Sequence, residues 1–298
     1  DILQVAETAA KAAGRIIVEK QQAGAAVVKA TKSNAADLLT EVDEECEDVI
    51  RRIVQEKFPD HDFLGEETAD DDSESKLLSE NWLWVVDPID GTTNFVAGQP
   101  LSAVSIGIAK AGELRVGVIY DPFRDELFGA MLGEGARLNG QSIQVSRTAS
   151  LPEAVVASGA PPNPDSAAPC FRAMSRLAPP RTRTIRILGS AAINFAWVAC
   201  GRLDAWFEPD LNAWDSAAGA LLVQEAGGQV TDCVGNPYTL STRPICASNG
   251  PIHKALLKNL AKAGATKLDQ GELTASALQR LQGLSVDIDT NGIAAATP

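Results

Sequence analysis

Residues 84–95, WVVDPIDGTTNF, set the strongest condition on how this chain can fold. The stretch NWLWVVD reads as one continuous apolar strand, and it runs into two aspartates three residues apart, Asp87 and Asp90, around Pro88. Such a strand delivers both carboxylates to one edge of a sheet, where they repel each other unless a cation sits between them. Oxygen donors with no nitrogen or sulfur among them suit Mg²⁺. Gly91, Thr92 and Thr93 can then expose backbone N–H groups at a helix start, a setting that favours an anion such as phosphate. A plainer reading stands beside this one, because Asp-Pro at a strand end and Asp-Gly are both good turn chemistry.

The rest of the composition narrows the classes. With 298 residues, 45% of them hydrophobic, the chain can bury a large core and reads as about two domains' worth of fold. No apolar run approaches the roughly 18 residues that span a bilayer, so no membrane association is expected. A net charge of −13 opposes a phosphate backbone, which argues against nucleic acid as a partner and makes a cation-binding site easy to accommodate. The chain starts at Asp1, so an upstream start or targeting segment is expected to have been removed or left out. Five cysteines, odd in number, scattered and never spaced Cys-x-x-Cys, read as reduced core residues of a reducing compartment, cytoplasm or plastid stroma. Two histidines, His61 and His253, are too few for a two- or three-His zinc site, and no Gly-x-Ser-x-Gly elbow is present. Both are expected at the surface or as caps.

Periodicity divides the chain near SRTASLP. Ile2, Val5, Ala9, Ala12, Ile16 and Ile17 form a helical stripe, and Leu39, Val42, Cys46, Val49, Ile50 and Ile53 repeat it in DLLTEVDEECEDVIRRIVQEKFP, up to Pro59. AVSIGIA, LRVGVIY and ELFGAML are strands joined by Gly-containing turns, and Asn139-Gly140 signals a further hairpin. Residues 1–145 therefore read as helices over an antiparallel sheet. Residues 146–264 alternate strands (AVVAS, TIRIL, DAWFE, GQVTD, PICAS) with helices near 165–177, 190–201, 214–226 and 251–263, an α/β layer. Residues 67–75, ETADDDSES, are too polar for a core and read as a mobile loop. The extension 265–298 has little to bury and is expected to be partly disordered.

Two further acids share the setting of the aspartate pair. FLGEE puts Glu66 after a short apolar segment and a glycine, and NAWDSAAGALLVQEAGG puts Asp215 at the head of a helix. Taken singly, Glu66 reads equally as a solvated loop acid, and Asp215 as an acid set against a helix dipole.

In this order, GEE, WVVDPIDGTTNF and WDSAAGALLVQEAGG resemble the signature segments of the inositol monophosphatase family of Mg²⁺-dependent, lithium-sensitive phosphatases, over about residues 1–262. The resemblance implies the five-layered αβαβα sandwich shared with fructose-1,6-bisphosphatase, usually as a homodimer. It also implies that two or three Mg²⁺ ions are held by Glu66, Asp87, the Ile89 carbonyl, Asp90 and Asp215, with Thr92 close by. Asp43, in DLLTEVD, matches the family acid that helps Thr92 position the nucleophilic water, and it reads equally as a capping partner of Thr40.

GSAAINFAWVACGRLDAWFEP matches the family segment that sets Gly189, Ser190 and Ala191 beside the substrate and Glu208 against a sugar hydroxyl. Ala97 departs from the His common in the family's NFxHG stretch. The implied reaction is hydrolysis of a phosphate monoester by metal-activated water without a covalent enzyme intermediate, with Glu66, Thr92 and Asp43 catalytic. Asp90, Gly91, Thr92, Gly189, Ser190, Ala191, Glu208 and Asp215 would bind the substrate. Inositol 1-phosphate or a similar polyol phosphate is the expected ester. Histidinol phosphate, L-galactose 1-phosphate and other sugar phosphates are alternatives, and a regulatory binding protein keeping the fold is the rival from another class.

Overall fold

A computed structural model describes residues 2–24, 27–32, 34, 38–70 and 73–265. The chain opens with α1 (Ile2–Gln22), the antiparallel pair β1 (Val28–Thr31) and β2 (Leu38–Thr40), and α2 (Glu41–Lys57). Next come β3 (Asp62–Gly65), the short α3 (Ser73–Lys76), β4 (Trp82–Asp90) and the short α4 (Thr92–Val96). A run of strands follows: β5 (Ala103–Lys110), β6 (Glu113–Asp121), β7 (Glu126–Met131), β8 (Gly135–Leu138) and β9 (Gln141–Ser142). The second half contains β10 (Val155–Ser158), α5 (Pro164–Leu177), β11 (Thr184–Arg186), α6 (Ala191–Ala199), β12 (Ala205–Glu208) and α7 (Ala213–Glu225). β13 (Gln229–Asp232), β14 (Ile245–Ser248) and α8 (His253–Ala263) complete it.

Strands β3 to β9 form a seven-stranded sheet in sequence order, and a five-stranded sheet runs β11-β10-β12-β14-β13. Side chains on a strand alternate between its faces, and β4 uses both. Leu83 and Val85 enter the core shared with α6, α7 and the second sheet, while Trp84 and Val86 enter the core under α1 and α2. β12 alternates likewise, with Trp206 in the central core and Ala205 and Phe207 in a third core under α5 and α8. The result is the five-layered αβαβα sandwich. Its central layer is tight because glycines on the sheet face small residues on α7. A Cβ on Gly107 would lie 2.5 Å from the Ala217 Cβ, and one on Gly117 2.5 Å from the Ala218 carbonyl oxygen.

Three local expectations shift. The second helix starts at Glu41: Leu38–Thr40 is a strand, because Thr40 takes an extended backbone as N-cap and accepts the Val42 N–H. The first sheet is mixed, since β3 runs parallel to β4. The polar stretch 67–75 runs into α3, which covers Ser73–Lys76, with residues 71 and 72 outside the described ones. The described residues cluster as one compact unit, and the disorder expected beyond residue 265 concerns residues outside the described ones.

Candidate active site

By strand parity Asp87 continues the Leu83 and Val85 face toward α7, and an irregular register between Asp87 and Asp90 carries the second acid to the same place. Asp215 arrives from the other side, at the third position of α7. Ligand oxygens of Asp87, Asp90 and Asp215 all lie within 4.8 Å of one another.

Each of the three is oriented by backbone N–H groups. Asp87 Oδ1 accepts from the Ile89 N–H at 3.0 Å, an Asx turn around Pro88. Asp215 Oδ2 accepts from the Asn212 N–H at 2.6 Å, closing a capping box on α7. Asp90 seats the start of α6, accepting from the Ser190 hydroxyl and from the Ala191 and Ala192 N–H groups at 3.1 and 2.7 Å. The turn and capping roles read from the sequence therefore hold together with the clustering: the same hydrogen bonds that cap the helices aim the carboxylates.

Asp43 divides its oxygens in the same way. Oδ2 receives the Thr40 N–H at 2.9 Å in a capping box on α2, while Oδ1 lies 3.1 Å from the Thr92 hydroxyl. Thr92 Oγ1 is also 3.1 Å from the Ile89 carbonyl oxygen. Gly91 precedes α4 at φ +92°, and a Cβ there would meet the Gly189 and Leu101 carbonyl oxygens at 3.0 Å, so the turn that starts α4 needs glycine.

Glu66 follows β3, with Lys32 Nζ at 2.6 Å and reaching Glu67 at 2.9 Å. The glycine of FLGEE has a steric reason. A Cβ on Gly65 would lie 2.2 Å from the carboxyl carbon of Glu47, a buried acid that receives the Glu67 N–H at 2.8 Å and Arg51 at 2.6 Å.

Gathered acids resist ionising. Burial first, then repulsion from Glu66, Asp90 and Asp215, raises Asp87 well above the usual carboxylate range. Asp215 is raised by burial and then by Glu66 and Asp90. Asp90 is pushed up to about 6 by burial, against the pull of its Ser190, Ala192 and Ala191 donors. Burial also raises Glu66, offset by Lys32, whose own pKa rises because the attraction of the two glutamates outweighs its desolvation.

The cluster opens on a cavity of about 510 Å³ whose lining includes Glu66, Asp90, Ser190, Asn194, Glu208 and Asp215. Glu208 ends β12 at 8% exposure, its carboxyl raised well above the usual range by burial. It fits only because residue 159 is glycine, where a Cβ would lie 1.9 Å from Glu208 Oε2. Gly189, at φ +75°, backs onto the Asn94 amide, which ties the Leu101 and Leu188 carbonyls at 2.8 Å each. On the rim, Arg243 forks onto Asp210 at 2.6–2.7 Å and reaches Asn212 at 2.8 Å. Asp210 also accepts the Ser166 hydroxyl at 2.6 Å. Ala97, where the family departure falls, is the C-cap of α4.

The acids and glycines named from the sequence gather here; the two histidines, expected at the surface or as caps, lie elsewhere. His253 is buried rather than superficial, with Ser248 and Thr231 hydroxyls at 2.8 and 2.9 Å from its ring nitrogens, because it starts α8 directly over β13 and β14. His61 accepts the Trp84 indole N–H at 3.0 Å and stacks on Phe58. Sequence reasoning missed Lys32, Glu47, Asn194, Asp210 and Arg243. Asn194 sits inside the quoted GSAAINF segment, but nothing in a helical stretch marks one polar residue as facing a cavity.

The sequence matches the inositol monophosphatase family over residues 1–265. It is 42% identical over 263 residues to inositol monophosphatase 3 of Solanum lycopersicum, spanning 87% of this chain and 96% of that one. It is 38% identical over 259 residues to the protein named Nus factor SuhB of Escherichia coli, spanning 87% and 95%. The fold superposes on the inositol monophosphatase of Anabaena (Nostoc) with a TM-score of 0.75 and 35% identity, over 88% of this chain and 95% of that one.

Proposed function

Because the chain belongs to the inositol monophosphatase family and is thereby a phosphoric monoester hydrolase, we propose that it releases phosphate from inositol 1-phosphate or a similar polyol phosphate, in a Mg²⁺-dependent reaction. One observation carries this reading: Asp87, Asp90 and Asp215 converge within 4.8 Å beside a cavity that also holds Glu208. The donor set suits a small hard dication, being all oxygen and raised in pKa by burial and then by mutual repulsion, both of which a cation would offset. We take Glu66, Asp87, Asp90, Asp215 and the Ile89 carbonyl as the groups that would hold two or three Mg²⁺ ions. Bound there, the ions would supply Lewis acidity at the phosphoryl group and lower the pKa of an attacking water.

The remaining work falls to the chain's own groups. Thr92 has one hydroxyl hydrogen and two acceptors, Asp43 Oδ1 and the Ile89 carbonyl, each at 3.1 Å. With that hydrogen engaged, the Thr92 oxygen can only accept, so a water that donates to it is turned with a lone pair toward phosphorus. Glu66 stands ready to accept the water's proton. The Gly91 and Thr92 N–H groups, at the start of α4, face the phosphate, and Gly189, Ser190 and Ala191 flank it at the start of α6. Glu208 receives a hydroxyl of the leaving group.

We further infer a homodimer, for which the family resemblance is the support. A reducing compartment, cytoplasm or plastid stroma, is supported by five free cysteines, four of them buried. No described helix is long and apolar enough to cross a membrane. A regulatory binding role is the rival that the Nus factor relative brings up. The full set of acids at the site favours catalysis. A phosphate-release panel of polyol, sugar, nucleotide and aryl phosphates, with and without Mg²⁺, tests the reading. Highest kcat/KM on a polyol phosphate supports it, and release from no ester counts against it.

A further inference from the structure

Two polar side chains inside the cavity are left unsatisfied by the protein. Glu208 receives no N–H or O–H donor among the described residues, and Asn194, only 1% exposed, has a buried Oδ1 with no hydrogen-bond partner. A buried amide oxygen without a hydrogen-bond partner among the described residues is costly and rare in native folds. Packing does not call for it either, since the neighbouring positions on α6 are Ile193 and Phe195, both buried and apolar.

Its place on α6 gives it a direction. The Asn194 N–H donates to the Ser190 carbonyl at 3.2 Å, so the two residues are one helical turn apart and share a face. Ser190 is the end of that face that bonds Asp90. Asn194 therefore lies about 5–6 Å further along the helix axis, away from the phosphate end and on the lining of the same cavity as Glu208. That offset is about the width of a polyol ring.

We propose that Asn194 is a specificity-determining residue that hydrogen-bonds a second hydroxyl of the leaving group, next to the one that meets Glu208. The ligand class is a phosphate monoester of a polyhydroxylated ring. The inference rests on the phosphatase reading above and adds to it a selective amide. An aryl leaving group offers that amide nothing, so it is the natural comparison substrate.

The test is the ratio of kcat/KM for inositol 1-phosphate to that for p-nitrophenyl phosphate in saturating Mg²⁺, measured on wild type and Asn194→Leu together with Tm. Leucine fills similar space and removes the unpaired amide. The expected result is a fall in the ratio of about 10-fold, carried chiefly by KM, with Tm equal to or above that of wild type. Asn194→Ala should lower the ratio in the same direction without a branched side chain in the way. An unchanged ratio in both variants overturns the proposal. So does a lower Tm accompanied by equal losses on both esters, since an amide that only supports the fold would behave that way. A wild-type protein inactive on both esters overturns the phosphatase reading and this inference with it.

Discussion

The two sides of the cavity solve opposite problems. On the reaction side, Asp43, Asp87, Asp90 and Asp215 each have an oxygen held by a backbone N–H, so their orientation is set before anything binds. On the leaving-group side, Glu208 and the Asn194 Oδ1 are buried and receive no hydrogen-bond donor among the described residues. A preorganised centre serves any phosphate monoester, because the phosphoryl group is common to all of them. An unsatisfied wall discriminates, because a leaving group lacking the right hydroxyls leaves buried polar groups unpaired. Chemistry and selectivity should therefore separate under mutation.

The largest effect is expected on the reaction side. Asp90→Asn keeps the shape but removes charge at the centre of the cluster, and kcat should fall at least about a hundredfold, equally for aryl and polyol esters. A loss confined to polyol esters would break the comparison. On the other wall, Glu208→Ala should cost about 1–3 kcal/mol in kcat/KM on inositol 1-phosphate, the scale of leaving a buried hydroxyl unpaired, and little on p-nitrophenyl phosphate. Equal losses on the two esters would remove selectivity from Glu208.

The support beneath the reaction side is steric. Gly65→Ala would press a methyl onto the Glu47 carboxyl, 2.2 Å away, and so displace the buried acid that holds the Glu67 N–H. Overpacking of this kind costs about 1–3 kcal/mol, which a denaturant melt would register as a lower midpoint with an unchanged slope. A midpoint equal to wild type would mean that Glu47 moves aside freely. The smallest expected effect lies away from both walls. Burial lowers the His253 pKa below the ordinary 6.5, so the unfolded chain binds its proton first on acidification. The stability that comes from keeping the ring neutral is complete above about pH 6.5 and is lost as pH falls through the lower folded value. His253→Gln should flatten the decline of Tm across that window, and an identical decline in variant and wild type would assign it to other groups.

What the sequence revealed and what it hid follow the same division. The acids were legible because they stand at strand ends and helix starts, where turn and capping residues mark position: Asp87 before Pro88, Asp215 three residues after Asn212, Asp43 three after Thr40. The layers were legible because strand and helix periods differ, and NWLWVVD reads as strand at a glance. β1 and β2 were hidden, since the stripe through Leu39 continues the α2 pattern in phase and only the extended backbone of Thr40 breaks it. Lys32, Arg243 and Asn194 were hidden for another reason. The partners of Lys32 and Arg243 lie 31 to 35 residues away, and the Asn194 Oδ1 has none among the described residues, so no local spacing encodes such contacts.

The claim on which the rest depends is that the converging aspartates hold the cation that catalysis needs. Its most direct test is phosphate release from inositol 1-phosphate while Mg²⁺ is titrated into chelator-stripped protein, with ionic strength held constant. The account predicts no release at zero Mg²⁺ and a saturable rise that Asp87→Asn abolishes or shifts to much higher Mg²⁺. A rate independent of Mg²⁺, or an Asp87→Asn titration that overlays wild type, would contradict it.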